Sequence, residues 1–426
     1  MKRRLITGAT ALLLLAALAV AWVLFMNLRD ESPRSATATP ASTPVPSAAQ
    51  VARGAYLALA GNCAGCHTAP GGAPYAGGRG VPTPFGTVMA PNLTPDTTTG
   101  IGSWSADDFW RALHNGRSRS GRLLYPAFPY PNYTRITRDD ADALHAYLRL
   151  LPAVEQANRP HELQFPFNQQ AALAVWRALY FRPGQHRADP QRSPEAERGA
   201  YLVEGLGHCN ACHSSRNALG ASTSPLDLAG GLIPVQNWYA PSLTSPQEAG
   251  VAAWETQDLV DLLKTGLSPH ASVSGPMGEV VQGSTQHLSE PDLRAMAVYL
   301  KALPQTQAAA TEAAPYPNTG PGAKLYERHC AACHGDAGEG APGAYPALAG
   351  NRAVTMRSVA NLVHVVLEGG FPPATVGNPR PYGMPPFATV LSVEETAQLL
   401  SFVRGSWGNR AAAVSALGVE RFRGGK

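Results

Sequence analysis

The stretch Cys63-Ala64-Gly65-Cys66-His67 decides the fold, because the same five-residue pattern occurs three times in the chain. The other copies are Cys209-Asn210-Ala211-Cys212-His213 and Cys330-Ala331-Ala332-Cys333-His334, and the three copies together contain all six cysteines. Cys-x-x-Cys-His is the attachment pattern of c-type haem, in which both thiols bond to the porphyrin and the histidine binds the iron. The sequence therefore predicts three covalently bound haems c, with His67, His213 and His334 as proximal iron ligands.

A single Cys-x-x-Cys pair also occurs in zinc knuckles, redox dithiols and disulfides. Zinc would need two further Cys or His ligands at short spacing, and a redox dithiol does not need a histidine beside its second cysteine. Because the histidine recurs in every copy, haem attachment explains the pattern better than these three alternatives.

The length and composition of the chain fit several small domains, each built around a cofactor. Its 426 residues suggest about three domains at ~150 residues each, one for each motif. Only 15% of the residues are charged, while 42 are glycine and 38 are proline, which indicates short helices joined by turn-rich loops. The formal net charge is +4 and three of the positive charges belong to residues 2–4, so no basic surface for nucleic acid is indicated.

The N-terminus carries three positive charges followed by an uncharged stretch at residues 5–28. A helix needs ~20 apolar residues to cross the ~30 Å core of a bilayer, whereas the apolar part of a secretory signal is usually ~7 to 15 residues long. We therefore predict that residues 1–28 form an uncleaved membrane anchor, with a cleaved signal as the alternative, since small-residue patterns such as Ala36-Thr37-Ala38 come only after several charged residues. Either way the haem motifs face away from the cytoplasm.

The chain around each motif also repeats. Arg53-Gly54-Ala55-Tyr56-Leu57 precedes the first motif, Arg198-Gly199-Ala200-Tyr201-Leu202 the second, and Gly322-Ala323-Lys324-Leu325-Tyr326 is a looser third version. These segments predict one opening helix per repeat. An amphipathic closing helix is predicted at the end of each repeat, over 138–151, 290–303 and 393–404, and proline stops the first two.

The sequence thus predicts an all-α fold of three tandem cytochrome c-like domains behind the N-terminal helix. The domains are placed at 51–152, 195–304 and 321–408, with a flexible tether at 29–50, a connector at 153–194 that contains a helix at 169–181, a linker at 305–320 and a tail at 409–426. The tail is too short to span a membrane, so we expect it to dock on a partner or lie on the bilayer surface.

Methionine is a common sixth ligand of c-type haem iron. Met277 and Met384 lie on loops rich in proline and glycine at the same point of repeats two and three, and we predict that they are the distal ligands. Repeat one has Phe128 in this position, and phenylalanine cannot bind iron. Met89 is the nearest substitute, although it aligns with Tyr239 rather than with Met277 and could equally be an apolar contact.

His114 and His145 are further candidates for the first iron. The first haem is therefore predicted to be five-coordinate or to take a ligand from an unexpected direction.

Several further segments identify a family. They include the three motifs together with Phe85-Gly86-Thr87, Asn92-Leu93-Thr94-Pro95-Asp96, Gly100-Ile101-Gly102, Leu124-Tyr125-Pro126-Ala127, Tyr299-Leu300-Lys301 and Ser406-Trp407-Gly408. Through these segments, residues 51–410 resemble the triheme cytochrome c subunit of bacterial membrane-bound periplasmic dehydrogenases. Those dehydrogenases oxidise alcohols, gluconate or sorbitol, and aldehydes. Many members of that family carry methionine in the position of Phe128.

The resemblance implies a subunit without catalytic residues of its own. Such a subunit takes electrons from a partner dehydrogenase and passes them to ubiquinone or a terminal oxidase, on the periplasmic side of the bacterial inner membrane. The connecting stretch 165–181 looks most like cytochromes that accompany molybdenum aldehyde dehydrogenases, so we favour that class of partner.

The competing functions are a haem enzyme, such as a peroxidase or nitrite reductase, and a gas sensor. Both need an open coordination site on the iron, and an enzyme also needs a poised acid or base. Only repeat one, with Phe128, could offer such a site. No nucleophile and base pair, phosphate loop or dinucleotide fingerprint stands out in the sequence.

Overall fold

The computed structural model describes residues 2–29, 31, 45–222, 227–306 and 319–423. Most of the predicted tether (29–50) and linker (305–320) lies outside these residues. The α-helices are α1 (Lys2–Leu28), α2 (Ala48–Ala60), α3 (Cys63–His67), α4 (Ala106–Asn115), α5 (Tyr130–Tyr133), α6 (Arg138–Leu148), α7 (Gln170–Tyr180), α8 (Pro194–Tyr201), α9 (Asn210–His213), α10 (Thr256–Thr265), α11 (Pro276–Gly283), α12 (Glu290–Lys301), α13 (Pro321–His329), α14 (Ala331–His334), α15 (Arg352–Thr355), α16 (Ala360–Glu368), α17 (Val393–Gly405) and α18 (Ala416–Arg423).

Short strands also occur in the described part of the chain. Strands β1 (Gly80–Thr83), β2 (Gly86–Met89) and β3 (Glu162–Leu163) form one antiparallel sheet, and β4 (Gly231–Leu232) pairs with β5 (Tyr239–Ala240). A π-helical turn at Leu202–Leu206 continues α8, and a 3-10 turn at Thr285–His287 follows α11. The chain is therefore helix-rich, and the expectation of an all-α fold omitted these two small sheets.

The closing helices are α6, α12 and α17, and each begins at a hydroxyl cap. Thr137, Ser289 and Ser392 accept hydrogen bonds from backbone N–H groups of the first turn. These side chains supply an acceptor to N–H groups that have no partner within the helix. Helices α6 and α12 end at Leu148 and Lys301, a few residues before the predicted ends. The prolines that follow at 152 and 304 disfavour helical conformation in the residue before them.

The opening helices α2, α8 and α13 cross the closing helices at a glycine in all three repeats. A Cβ atom on Gly54, Gly199 or Gly322 would overlap the carbonyl oxygen of Ala143, Ala295 or Gln398, respectively. Only glycine lets the two helix backbones approach this closely. The repeated glycine of the sequence is therefore the crossing point of the two helices that form the core of each repeat.

An ion pair reinforces this crossing in the first two repeats. Arg53 pairs with Asp140, and Arg198 donates to both carboxylate oxygens of Asp292 at 2.8 and 2.7 Å. Repeat three has Pro321 in place of the arginine, and its closing helix uses Glu395 in a capping box with Ser392 instead.

The chain divides into two compact units. The first comprises Met1–Leu57 and Cys66–Arg187, and the second comprises Ala58–Gly65 and Ala188–Lys426. The second unit contains repeats two and three, and the division into three domains stays a prediction. In this unit α18 packs on α16 and α17, with Val419 and Phe422 buried. The apolar side of the predicted tail is thus covered by repeat three.

Helix α1 contains one segment long and apolar enough to cross a membrane, Arg4–Leu28, with a mean hydropathy of 2.5. None of that segment's most apolar window is buried in the protein. Near the end of the helix, Asn27 is buried against α7. Length and composition alone would also allow a signal sequence.

Candidate functional site

The first motif forms the short helix α3, whereas α9 and α14 begin one residue after the first cysteine of the second and third motifs. Residues i, i+3 and i+4 of a helix share one face, so each motif presents its two cysteines and its histidine to the same side. All six cysteines are described and none forms a disulfide. The three motifs therefore share one local arrangement of two thiols and an imidazole.

The thiols of the second and third motifs fit haem attachment better than zinc binding. Burial, reinforced by Cys212, raises the pKa of the Cys209 thiol to about 12, and burial together with Cys333 raises that of Cys330 to about 11. Zinc binds thiolates, which these environments disfavour. Within the described ranges no cluster of three or more His, Cys, Asp or Glu side chains could hold a metal ion.

Each motif histidine is held in the same way. The Nδ1 atoms of His67, His213 and His334 lie 2.8, 2.7 and 3.0 Å from the backbone carbonyl oxygens of Pro91, Pro241 and Pro346. A carbonyl only accepts, so Nδ1 carries the proton and Nε2 keeps its lone pair. This is the arrangement of a metal-binding histidine whose ring is oriented by its second nitrogen.

The electrostatic surroundings also keep two of these histidines neutral. Burial lowers the pKa of His67 and of His213, and the proline carbonyl only partly opposes this effect. A neutral imidazole is the form that binds iron. The donor set of each motif, two thiols and one imidazole nitrogen, therefore fits a covalently attached haem.

Sequence reasoning did not identify the proline carbonyls. The three prolines lie in similar segments, Ala90-Pro91-Asn92-Leu93, Ala240-Pro241-Ser242-Leu243 and Tyr345-Pro346-Ala347-Leu348. The shared Pro-x-Leu was the available signal. A backbone acceptor has no side chain of its own, so only its neighbours can mark it in a sequence.

Met277 and Met384 occupy positions that suit a distal ligand. Met277 is in the first turn of α11, and Met384 pairs with Gly370 through two backbone hydrogen bonds of 2.8 and 2.9 Å. Both side chains are half-buried. Met384 also packs against the core of repeat three, which includes Cys330. Ligation by these two methionines stays a prediction.

Phe128 stands in the position of Met277. The N–H of Leu124 donates to Gly116 O at 2.8 Å, just as the N–H of Val273 donates to Gly266 O at 2.9 Å, and Phe128 and Met277 each follow four residues later. The Phe128 ring lies 5.3 Å from the ring of Tyr133. The loop of repeat one thus follows that of repeat two up to the residue that would bind iron.

The other candidates for the first site are distributed over several elements. Met89 is only 4% exposed and lies across the strand pair from Gly80. His114 stacks on Trp110 at 4.4 Å and its Nδ1 lies 2.9 Å from Thr134 O.

His145 is buried on α6, and its Nε2 has no hydrogen-bond partner among the residues described. Burial, with a contribution from Arg149, lowers its pKa to about 4. Met89, His114 and His145 thus lie on three different elements, β2, α4 and α6, and all three stay candidates.

Repeats two and three are joined close to these loops. The side chain of Asn361 on α16 donates to Tyr239 O at 2.7 Å and accepts from Tyr239 N at 2.8 Å. Trp238 stacks on His364 at 4.9 Å, and its ring lies where a Cβ atom of Gly275 would be, two residues before Met277. The Met277 loop therefore rests on an aromatic pair shared by both repeats.

Comparison with known proteins agrees with these features. The cytochrome c family matches residues 51–152 and 320–407. The chain is 38% identical to the cytochrome c subunit of the quinone-dependent alcohol dehydrogenase of Komagataeibacter europaeus, over 90% of this chain and 86% of that protein. It is 39% identical to the gluconate 2-dehydrogenase cytochrome c subunit of Pantoea cypripedii, over 86% and 87% of the two chains. It is 33% identical to the fructose dehydrogenase cytochrome subunit of Gluconobacter japonicus, over 96% and 90%.

Proposed function

The chain belongs to the family of cytochrome c subunits of alcohol, gluconate and fructose dehydrogenases, and on that premise we propose that it carries three covalent haems c and passes electrons from a partner dehydrogenase to an acceptor at the membrane. Each bound haem would supply a one-electron redox centre. The observation that carries the proposal is the threefold bond between a motif histidine and a proline carbonyl, which includes His213 in the repeat that lies outside the family match.

The residues of each site have distinct roles in this proposal. The cysteine pairs of the three motifs would hold the porphyrins, and His67, His213 and His334 would bind iron through Nε2 while the proline carbonyls hold Nδ1. Met277 and Met384 would each supply a thioether ligand at the second and third sites, which would raise the reduction potential of these sites. Residues 51–152, 195–304 and 321–408 form the three cytochrome domains.

The second unit supports efficient transfer between its two sites. Asn361 and the pair of Trp238 with His364 tie the loops of repeats two and three together, and Arg352 of repeat three donates to Gly250 O of repeat two at 2.7 Å. These contacts bury polar groups in satisfied pairs, so the separation of the two sites is held constant. Rigid placement lets electrons pass without prior rearrangement.

We further propose where the subunit works and with what. Helix α1 stays in the mature protein as an anchor, so the cytochrome domains lie on the periplasmic side of the bacterial inner membrane. The partner is a dehydrogenase catalytic subunit, with the molybdenum aldehyde dehydrogenase class favoured by the stretch 165–181. The acceptor is ubiquinone or a terminal oxidase.

A haem count and a reduction assay test the proposal. The matured protein should contain three haems per chain by pyridine haemochrome and intact mass, and a variant with Cys209→Ala and Cys212→Ala should contain two. Ethanol, gluconate or an aldehyde should reduce the haems only when a dehydrogenase subunit is added. Oxidation of these substrates by the isolated chain, or a count below three, would refute the corresponding part of the proposal.

Phe128 supports a second candidate function, in which an open iron at repeat one binds a small ligand. If so, the isolated protein should bind CO or cyanide at one haem per chain, and Phe128→Met should abolish that binding. Turnover of peroxide or nitrite at ~1 to 1,000 per second would show that this site is an active site. Absence of ligand binding in the wild-type protein would leave electron transfer as the sole function.

A further inference from the structure

A polar network fastens α7 to the end of α1. Asn27, in the last turn of α1, is 6% exposed, and its Nδ2 donates to Ala174 O of α7 at 2.9 Å. The Nε of Arg177 donates to Asn27 Oδ1 at 3.0 Å, and its Nη1 donates to Asn115 O at 2.6 Å. The single charged side chain of α7 is thus directed into the protein, where it is 4% exposed.

A second arginine strengthens this connection. The Nη2 of Arg117 donates to Asn27 O at 2.8 Å, and the same guanidinium pairs with Glu31 just beyond α1. A buried arginine that lost such partners would leave an uncompensated charge. The last turn of α1 and the middle of α7 are therefore held side by side within the first unit.

The opposite face of α7 is apolar and exposed. Ala171, Val175 and Leu179 follow one another at spacings of four residues, so they form one stripe. Val175 and Leu179 are each 45% exposed. The half-buried rings of Trp176 and Tyr180 flank the stripe. No charged residue lies on this face, although a helix facing water normally carries charged or polar residues there.

We propose that this stripe of α7 is embedded in the lipid bilayer at the point where α1 leaves it. The first unit would then contact the membrane through both α1 and α7, and not through α1 alone. The proposal rests on the proposed role of α1 as a retained anchor. Because Asn27 is in the last turn of the apolar segment of α1 and bonds to α7, that last turn and α7 would lie at the same depth, at the bilayer surface that faces away from the cytoplasm.

Two further observations favour lipid over a protein partner. Tryptophan and tyrosine prefer the membrane interface, where an apolar ring can be buried while its polar edge stays in water. Arg29 and Arg182 follow α1 and α7 closely, at the level of the lipid headgroups, and they are near enough that the charge of Arg29, after burial, helps to lower the pKa of Arg182. Anionic phosphates would relieve this repulsion.

The orientation of the first unit follows from the two contacts with the bilayer. A single spanning helix leaves the attached domain free to rotate about its end, whereas a spanning helix and a second, interfacial helix fixed beside it define a plane. The first haem motif would then be held at one height above the membrane.

Single cysteines introduced into the full-length protein test this arrangement. In the matured protein the six native cysteines are bonded to haem, so an introduced cysteine is the only thiol. Val175→Cys and Leu179→Cys probe the stripe, Arg159→Cys is an exposed control in the same unit, and Leu18→Cys probes the centre of α1. Each variant is placed in vesicles of phosphatidylethanolamine and phosphatidylglycerol without a dehydrogenase, and labelling by a membrane-impermeant maleimide is compared with labelling in detergent.

We expect the two stripe cysteines to label at least about tenfold more slowly than Arg159→Cys, a factor that corresponds to about 1.4 kcal/mol of burial. Labelling of both stripe positions as fast as Arg159→Cys, with Leu18→Cys protected, would overturn the inference while leaving the anchor intact. Labelling of Leu18→Cys would instead refute the anchor. Protection of the stripe only after addition of a dehydrogenase would assign this face to the partner and also overturn the inference.

Discussion

The proximal histidines show how a backbone group can set the chemistry of a site. Pro91, Pro241 and Pro346 hold Nδ1 of the three histidines through carbonyl oxygens. The sequence predicts the cysteines and histidines as haem-binding residues, because their side chains carry the chemistry and their spacing is fixed, and these roles stay a prediction. It was insufficient for the carbonyls, since any residue type provides one and only the fold determines which carbonyl faces the ring.

Replacing Met277 tests the predicted distal ligand of the second site. We expect Met277→Ala to remove one thioether contribution from the visible absorption spectrum and to let that haem bind CO. Loss of the thioether should lower its potential by on the order of 0.1 V, within the ~0.8 V that axial ligands span. Redox titration with spectral detection measures both effects.

The matched control is Met296→Leu, which changes a methionine that is 3% exposed in the core of the same repeat. This variant should keep the wild-type spectrum and potential. Equal spectral changes in both variants would show that Met277 affects the site only through packing.

His145 should make the stability of the first unit depend on pH. Its pKa in the folded protein is about 4, below the ordinary 6.5, so between these values the unfolded chain takes up a proton that the folded chain does not. The free energy of unfolding should therefore fall as the pH drops from 6.5 towards 4, by up to about 3 kcal/mol, and His145 should have no such effect above pH 6.5.

His145→Gln should flatten this part of the pH profile, as measured by denaturant midpoints at a series of pH values. His287→Gln, at an exposed histidine, is the control and should leave the profile unchanged. Parallel curves for His145→Gln and wild type would show that His145 does not remain neutral in the folded protein.

At the scale of the helices, the crossing of opening and closing helices is repeated three times with one glycine each. We expect Gly54→Ala to destabilise the first unit by about 1–3 kcal/mol, because the added methyl overlaps the carbonyl of Ala143 and the helices must separate. The midpoint of thermal or denaturant unfolding is the measurement.

Gly184→Ala is the matched control, since nothing lies within 4 Å of a Cβ atom at that position. It should have an effect of only a few tenths of a kcal/mol or should stabilise slightly. If both variants lost the same stability, helix crossing would not be the cause.

Helices were easier to predict than strands in this chain. The opening and closing helices and α7 show apolar periodicity over eight residues or more, and caps or prolines mark several of their ends. The strands are two to four residues long, which is too short for an alternating pattern. Strand β3 pairs with β2 over a separation of more than seventy residues. The local sequence Glu162–Leu163 does not predict this pairing.

At the scale of the whole molecule, the second unit joins two repeats through residues that differ between them. Asn361 and His364 of α16 contact Tyr239 and Trp238, whereas the corresponding helix α10 of repeat two carries no such pair in sequence. Internal repetition predicts what repeats share, so contacts that arise where unlike surfaces meet could not be derived from it. The same reason explains why the tie of Asn27 to Arg177 was missed.

Removing the Asn361 amide should loosen repeat two from repeat three. Asn361→Ala leaves both backbone groups of Tyr239 without their partner, which we expect to cost about 1–3 kcal/mol. Amide hydrogen exchange should speed up at Tyr239, and electron transfer between the second and third haems should slow in flash photolysis. Gln236→Ala, at an exposed side chain nearby, should change neither, and unchanged exchange at Tyr239 in Asn361→Ala would contradict the assigned role.

The glycine crossing joins two helices that are far apart in the chain, and this separation affects the order in which haems are attached. In the proposed export of the chain, the opening helix of each repeat would emerge well before its closing helix, by roughly 70 to 90 residues, or several seconds at ~5–20 residues per second of synthesis. Until the closing helix arrives, the crossing cannot form and the two thiols of that repeat stay reachable for the ligation machinery. Maturation should therefore proceed from the N-terminus, and pulse-chase labelling should show chains with one haem before chains with two or three.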